Sequence, residues 1–420
     1  MNRRTFIKGA TATVAATSLS SSKILAGANS ANEIRVGLIG CGGRGTGAAI
    51  EALNADPDAV LYAMGDLTAD RLESSYQGLQ ENFGARVQAP SERRYHGFDA
   101  FQKVIEQVDV VLLATPPVFR PQHLRAAVDA GRHVFCEKPV AVDGKGVRSV
   151  LESAAIAKEK GLSLASGFCW RAAFGHRAIY QRIMQGAIGD VVGVHATYMA
   201  GQLWYKERQP GWSDLEYQLR NWVYYSQLSG DHVVEQAIHS VDKVMWAKGD
   251  EPPVSVMATG GRQTRTDKKY GNVFDHFSAV YDWADGSQAT LQCRQMKGCH
   301  MENLDRVIGS KGIAYIDGWA GKFEIKGENE WAYSGPGNNM YQTEHDDLFA
   351  SIRGGAGLNQ GVEMANSTLA GIMIRMSAYT GKKVSWDQAL NSKQDLTPKQ
   401  WEGGPPVDAA VAVPGKTKLI

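Results

Sequence analysis

Apolar residues fall in short, unbroken runs over the first part of this chain. Ile34 to Ile39, Ala59 to Met64, Val108 to Ala114, His133 to Cys136 and Leu162 to Ser166 are each a few residues long, and the first four carry β-branched or aromatic side chains. Such runs read as strands buried on both faces of a parallel sheet. Between them, helical spacing predicts helices over Ala69 to Phe83, Phe98 to Gln107, Pro121 to Ala130 and Leu151 to Lys160. This alternation predicts an α/β fold with a doubly wound parallel sheet. After about Arg171 the period changes. A helix (Ala178 to Gln185), a strand (Val191 to Tyr198) and a helix (Gly230 to Trp246) precede a series of alternating runs. These are Val254 to Gly260, Asp275 to Trp283, Gln288 to Gln295, Asp305 to Gly309 and Gly312 to Asp317, with hairpin signals at Asp285-Gly286 and Lys311-Gly312. They predict a second, largely antiparallel sheet. Helices over Thr343 to Ser351 and Gly361 to Thr380 follow. A Pro-, Gly- and Ala-rich tail after Asn391 is expected to wrap the surface or reach a partner subunit.

The first apolar run leads directly into Gly40-Cys41-Gly42-Gly43-Arg44-Gly45. Gly40, Gly42 and Gly45 have the G-x-G-x-x-G spacing. The first permits a tight turn, the second lets a pyrophosphate approach the backbone, and the third lets the next helix lie close to the strand. A second strand ends near Asp66, about twenty residues after the last glycine, where a carboxylate binds the adenosine ribose hydroxyls. A carboxylate there repels a 2′-phosphate, so NAD is expected rather than NADP.

Length and charge narrow the class. The chain has 420 residues, enough for two domains, and a formal net charge of +1, which points to neither nucleic acid nor an anionic membrane. Asn2-Arg3-Arg4-Thr5-Phe6-Ile7-Lys8 resembles a twin-arginine export signal, followed by an Ala/Thr/Ser stretch and the A-x-A site Ala26-Gly27-Ala28. The stretch is too short and polar to span a membrane. Residues 1–28 are therefore expected to be removed, which takes the net charge to about −3 and makes the protein periplasmic. The five cysteines, Cys41, Cys136, Cys169, Cys293 and Cys299, form no disulfide framework and read as packing residues. No His/Cys/Asp cluster has metal-ligand spacing.

Two stretches carry candidate chemistry. Lys138 follows the fourth strand, at the carboxyl edge where ligands bind in a parallel sheet. Gly230 to Asp242 contains Glu235 and His239, four apart and so on one face of the expected helix. Hydride removal from a carbinol requires loss of the hydroxyl proton, and a histidine of near-neutral pKa suits that transfer. Together with Thr115-Pro116, Ala130-Gly131-Arg132-His133-Val134, Glu137-Lys138-Pro139 and Ile188-Gly189-Asp190-Val191, these stretches resemble the glucose–fructose oxidoreductase/inositol dehydrogenase/rhizopine-catabolism (Gfo/Idh/MocA) family over residues 32–385.

The resemblance implies an N-terminal Rossmann domain (32–155), a C-terminal α/β domain with an open, mostly antiparallel sheet (156–390) and a tail (391–420). It implies a homo-oligomer, dimer or tetramer, formed through that sheet. Lys138 falls on the family's E-K-P lysine, which bonds the reacting hydroxyl, and Glu235 and His239 fall on its D-x-x-x-H pair. Glutamate replaces the usual aspartate, and Arg120 stands where related chains commonly carry histidine. The candidate dinucleotide contacts are Gly40, Gly42, Gly43, Arg44 and Gly45, then Asp66 and Arg71, Thr115, Pro116 and Arg120, and Glu137 and Lys138. The candidate substrate contacts are Lys138, Trp170, Arg171, Trp222, Glu235 and His239.

An aromatic insertion bears on the substrate. Trp204, Tyr205, Trp212, Tyr217, Trp222, Tyr224 and Tyr225 lie beside Arg208, Arg220, Asn221 and Gln227. Aromatic faces stack on sugar rings and amides bond hydroxyls, although an ordinary core or dimer contact reads equally well. His276, Arg294, His300 and Glu302 are further pocket candidates. The leading expectation is an enzyme that oxidises a ring hydroxyl, at C3, of a sugar or glycoside. Its NAD would stay tightly bound, because an exported protein meets no maintained pool of the free cofactor. The alternative is an NAD-dependent glycosidase working by transient C3 oxidation, elimination, water addition and re-reduction. A third possibility is a non-catalytic NAD/sugar sensor, against which Lys138 and His239 argue.

Overall fold

The computed structural model describes residues 32–420; the twin-arginine leader expected at 1–28 lies outside them. Six short strands form a wholly parallel sheet: β1 (Ile34–Ile39), β2 (Ala59–Asp66), β3 (Arg94–His96), β4 (Val110–Leu113), β5 (His133–Cys136) and β6 (Leu164–Ser166). Their order is β3-β2-β1-β4-β5-β6, so the chain reverses direction across the sheet between β1 and β4. The carboxyl ends on either side of that switch form a crevice. Every residue of β4 is buried, as expected for a central strand covered on both faces.

The second sheet has nine strands. They are β7 (Val191–Ala200), β8 (Ser255–Gly261), β9 (His276–Asp282), β10 (Gln288–Gln295), β11 (Leu304–Gly309), β12 (Gly312–Asp317), β13 (Lys322–Gly327), β14 (Trp331–Ala332) and β15 (Val384–Ser385). Only β7 and β10 pair in parallel; the other neighbours are antiparallel. Alternation along these strands leaves one face open, with Met257, Val280, Ile308 and Tyr315 exposed on it. Helix Gly361–Thr380 packs against β8 and against helix Gly144–Glu159 of the first sheet, while helix Met340–Gly354 returns to pack on helix Gly43–Ala55.

Four expectations are corrected. The helix placed at Leu151 begins at Gly144, because Asp143 caps it by accepting a hydrogen bond from the Gly146 amide (2.8 Å); the two glycines hid that start. The single helix expected over Gly230 to Trp246 is broken into His232–Glu235 and Ile238–Ala247. Strands β3, β13, β14 and β15 are short and carry no run long enough to stand out. Cys299 is exposed, whereas the other four cysteines are buried and all five are free thiols. The tail does wrap the surface: Trp401 packs on Phe98 (ring centroids 5.8 Å apart) and on Phe119 (4.5 Å).

Leu112 is fully buried at the centre of β4. Leu112→Ala should cost about 3 kcal/mol of unfolding free energy through lost burial and a residual cavity, read as a lower urea midpoint at unchanged m-value.

Candidate active site

The carboxyl ends of β1, β2 and β4 open into a cavity of about 580 Å³. Gly40 turns the chain at φ +99°, and a Cβ there would lie 2.7 Å from the Ala114 backbone. A Cβ on Gly45 would lie 1.8 Å from the Gly40 carbonyl oxygen, so only glycine lets the helix approach so closely. Gly42 and Gly43 are different: nothing lies within 4 Å of where their Cβ would be, and both face the cavity. Helix Gly43–Ala55 starts there with no side-chain cap and no acidic residue in its first turn. Its amide donors and its positive end are thus available to an anion. The hydroxyl of Thr115, in the same wall, is buried without a partner. An open glycine cradle, an uncapped helix and an orphaned hydroxyl fit the pyrophosphate and ribose of a dinucleotide.

Asp66 and Arg71 lie in the wall at one end. Asp66 accepts hydrogen bonds from the Cys41 amide (2.7 Å) and the Thr68 amide (2.9 Å), which join the end of β2 to the glycine loop. At the other end stand Glu235 and Gln236, at the break between the two short helices. The turn before them fixes where the first of these helices starts. Gly230 (φ 82°) and Asp231 (φ 75°) are both left-handed, and Asp231 is held there by its bonds to the Phe274 amide (2.8 Å) and the Tyr379 hydroxyl (2.6 Å). Because the helix ends at Glu235, the Glu235 carbonyl oxygen stays free of helical pairing. It accepts a hydrogen bond of 2.7 Å from the Lys138 ammonium. The same ammonium lies 3.9 Å from Glu235 Oε1, while Oε2 is buried without a partner.

His239 sits in the first turn of Ile238–Ala247, buried beside the edge of Phe168 (6.3 Å) and the face of Tyr198 (6.5 Å). Its Nδ1 has no partner. Burial, then the charges of Lys138 and Lys243, push its pKa well below the usual histidine value, so the near-neutral pKa expected from sequence is replaced by a ring that is firmly neutral. A neutral ring can accept a proton. Tyr198 in turn meets Trp319 edge-on at 6.0 Å, which sets aromatic surface from β7 and the β12–β13 turn beside His239.

The remaining candidates divide. Gly40, Gly42, Gly43, Arg44, Gly45, Asp66, Arg71, Thr115, Pro116, Trp222 and Glu235 line the cavity. Lys138 and His239 do not; Lys138 joins it through Glu235. Arg120, Glu137, Trp170 and Arg171 also lie outside the lining, each for a stated reason. The Arg120 guanidinium is buried and donates to the Pro139 carbonyl oxygen, which anchors the loop that carries Lys138. The Glu137 carboxylate is taken by Arg44 and by the Lys138 amide (3.0 Å). Arg171 is tied to Asp242 and Asp250, and Trp170 packs on His176 (4.8 Å).

The insertion is corrected too. Only Trp204 and Trp222 of its seven aromatics reach the cavity. Its polar groups serve the fold: Arg208 pairs with Asp214, Asn221 bonds the Lys206 backbone, and Gln227 bonds the Asp408 carbonyl. On the sheet, His276 is bonded to Asp275, and Arg294 donates to the His300 carbonyl. His123, which lines the cavity one turn beyond Arg120, was missed. It stacks on Phe101 at 4.1 Å, and burial, then the Arg120 charge, take its pKa down to about 3. Its position on the helix face after Thr115-Pro116 was the available signal. Among the described residues, no group of three or more His, Cys, Asp or Glu side chains is placed to hold a metal ion.

Comparison with known proteins agrees with this fold. Residues 34–168 match the model of the oxidoreductase family with NAD-binding Rossmann fold, and residues 176–315 match the GFO/IDH/MocA C-terminal domain. An inositol 2-dehydrogenase of Rhizobium meliloti (strain 1021) is 28% identical over 66% of this chain and 74% of its own length. A 2,7-anhydro-N-acetylneuraminate hydratase of Escherichia coli (strain K12) is 26% identical over 53% of this chain and 56% of its own. The fold is similar to that of the WlbA dehydrogenase from Bordetella pertussis, solved with NADH and UDP-GlcNAcA: TM-score 0.64, 22% identity, 84% of this chain and 99% of that one.

The buried histidines set a pH dependence of stability. His123, His176, His239 and His345 are all held below the ordinary histidine value of about 6.5 by burial. The unfolded chain binds protons there that the folded chain refuses, so stability falls as pH drops below about 6.5. Urea midpoints measured from about pH 7 to about pH 5 should decline, and His239→Gln should lessen the slope by about one proton.

Proposed function

This chain belongs to the Gfo/Idh/MocA oxidoreductase family, and from that premise we propose that it oxidises a ring hydroxyl of a sugar or glycoside at C3, using a tightly held nicotinamide dinucleotide. The carrying observation is the arrangement at the Glu235 end of the cavity. A lysine from the first sheet is bonded to the backbone of the segment that carries a neutral, unpartnered histidine.

The cavity wall from Asp66 to Glu235 would hold the dinucleotide, and a bound nicotinamide supplies the hydride acceptor. His239 takes the hydroxyl proton on its neutral ring, and burial keeps that ring unprotonated at neutral pH. Lys138, fixed by the Glu235 carbonyl, donates to the reacting oxygen and stabilises the negative charge that develops there. Tyr198 and Trp319 offer apolar faces for a sugar ring, in the role first given to the insertion. Asp66 in the wall favours NAD over NADP through its charge beside the ribose site. The exposed apolar face of the second sheet supports a homo-oligomer formed through it. The Arg3-Arg4 leader supports export to the periplasm with the dinucleotide already bound.

A second reading is favoured by Glu235 itself. Its Oε2 is unpartnered at the cavity wall, and one methylene more than aspartate extends its reach. It could move the C2 proton of a 3-keto glycoside, after which elimination, water addition and re-reduction give net hydrolysis. The hydratase among the relatives is compatible with chemistry that is redox-neutral overall.

His239→Ala should lower sugar-dependent reduction of the bound cofactor by about 10²- to 10⁴-fold while the dinucleotide stays bound. Turnover equal to wild type would refute its role. Glu235→Gln separates the two readings. Incubated with an aryl glycoside and no external acceptor, wild type that releases free aglycone, with release abolished by the substitution, supports cleavage. A stable keto-glycoside without aglycone supports oxidation.

A further inference from the structure

The insertion lies on the nucleotide side of the molecule. Leu203, Lys206, Leu219 and Val223 line the same cavity as the glycine loop and Asp66. A separate apolar cluster binds the insertion (Leu215, Leu219, Val223, Tyr224) to Phe119 of the first sheet and to Val407 of the tail. Beside it a second recess of about 730 Å³ shares Leu67, Phe98 and Leu219 with the first, so the two are neighbours at the adenosine end. Trp212 and Trp401 close its far side.

Specific polar contacts hold this wall in place. Arg220, its side chain only 10% exposed, makes a two-pronged ion pair with Asp70 on the first-sheet helix that follows β2 (2.8 and 3.0 Å). It is steadied by Glu216 at 3.0 Å and by the Trp212 ring at 4.5 Å. Gln218 exchanges two hydrogen bonds with the Val407 backbone (3.0 and 2.6 Å), which ties the insertion to the tail. Asn221 clasps both the amide and the carbonyl of Lys206 (2.9 and 3.0 Å), so the lysine is set at a fixed point in the wall. Its pKa is lowered by burial, then by the nearby charges of Arg71 and Arg220. Asp70 and Glu216 answer the charge of Arg220 within the fold. Lys206 and Arg71 face the cavity with no ion pair to either of them among the described residues.

We infer that the insertion, backed by the tail, forms the second wall of the dinucleotide site at its adenosine half, and that the Arg220–Asp70 pair is the contact that retains the cofactor. The inference rests on the reading that the cavity holds a nicotinamide dinucleotide. Apolar Leu67, Phe98 and Leu219 suit an adenine, while Lys206 and Arg71 suit the anionic phosphates. This wall covers one side of a ligand seated against the first sheet, and lifting it breaks the ion pair that spans the two. The seven aromatics then need no sugar: they build and seat the wall.

The test uses the full chain as purified. Wild type, Arg220→Gln and Asp70→Asn are passed through gel filtration and denatured, and the released dinucleotide is measured by mass spectrometry. Exchange of bound dinucleotide against an isotopically labelled excess is then timed on the native proteins. Asp70 is exposed, so its substitution leaves the core intact. We expect retention by wild type, exchange at least tenfold faster in both variants, and recovery of slow exchange in the charge-swapped Asp70→Arg/Arg220→Asp double variant. Wild type that binds dinucleotide, with both single variants exchanging at its rate, overturns this inference alone. Wild type that neither carries nor binds a dinucleotide overturns the cofactor reading and this inference with it.

Discussion

A hydrogen bond of 2.7 Å between the Lys138 ammonium and the Glu235 carbonyl oxygen joins the two halves of the site. Its donor follows the last residue of β5, at the carboxyl edge of the parallel sheet. Its acceptor is a main-chain oxygen that a continuous helix would have consumed internally. The break after Glu235 is therefore a requirement of the site. Asp231 fixes the start of the short helix that ends there: a buried carboxylate at positive φ, with a bond to the Phe274 amide on one side and to the Tyr379 hydroxyl on the other. Such backbone conformations persist only where surrounding contacts over-determine them. The same bond places the Lys138 ammonium near buried His239, and its charge adds to burial in lowering the pKa of that ring.

The other end of the cavity obeys a steric constraint. Helix Gly43–Ala55 lies so close to β1 that a Cβ at Gly45 would overlap the Gly40 carbonyl. The uncapped helix end is thereby aimed at the space between β1 and β4, where the strand order reverses. Gly42 and Gly43, by contrast, are open, and their bareness leaves the backbone amides uncovered for an anion. Charged side chains line the wall at Arg44 beside the glycine loop, at Asp66, Arg71 and Lys206, and at Glu235, behind which Lys138 is bonded.

Most of this was legible in the residues where local pattern and chemistry coincide. Short apolar runs marked five of the six parallel strands, and the glycine spacing marked the loop. Helix Gly361–Thr380 emerged at its full length because its spacing is uninterrupted. The failures have physical causes. The break after Glu235 falls at Gln236-Ala237, where neither glycine nor proline marks it, so helical spacing alone read through it. Arg120 and Glu137 stand next to functional residues in the chain, yet their side chains turn inward to Pro139 and Arg44. The aromatic insertion had a composition suited to a sugar and a location suited to a nucleotide; only the fold around it separates the two. His123 carried a signal, one turn after Arg120, that was overlooked.

The central proposal is that a dinucleotide in this cavity meets a sugar hydroxyl at Lys138, Glu235 and His239. Its most direct test is a single turnover of native protein with a sugar or glycoside deuterated at the carbon to be oxidised, followed by denaturation and mass analysis of the released dinucleotide. The account predicts that deuterium arrives on the nicotinamide with wild type and that arrival is slowed by the His239→Ala substitution. Turnover of the labelled substrate with no deuterium on the dinucleotide would contradict it.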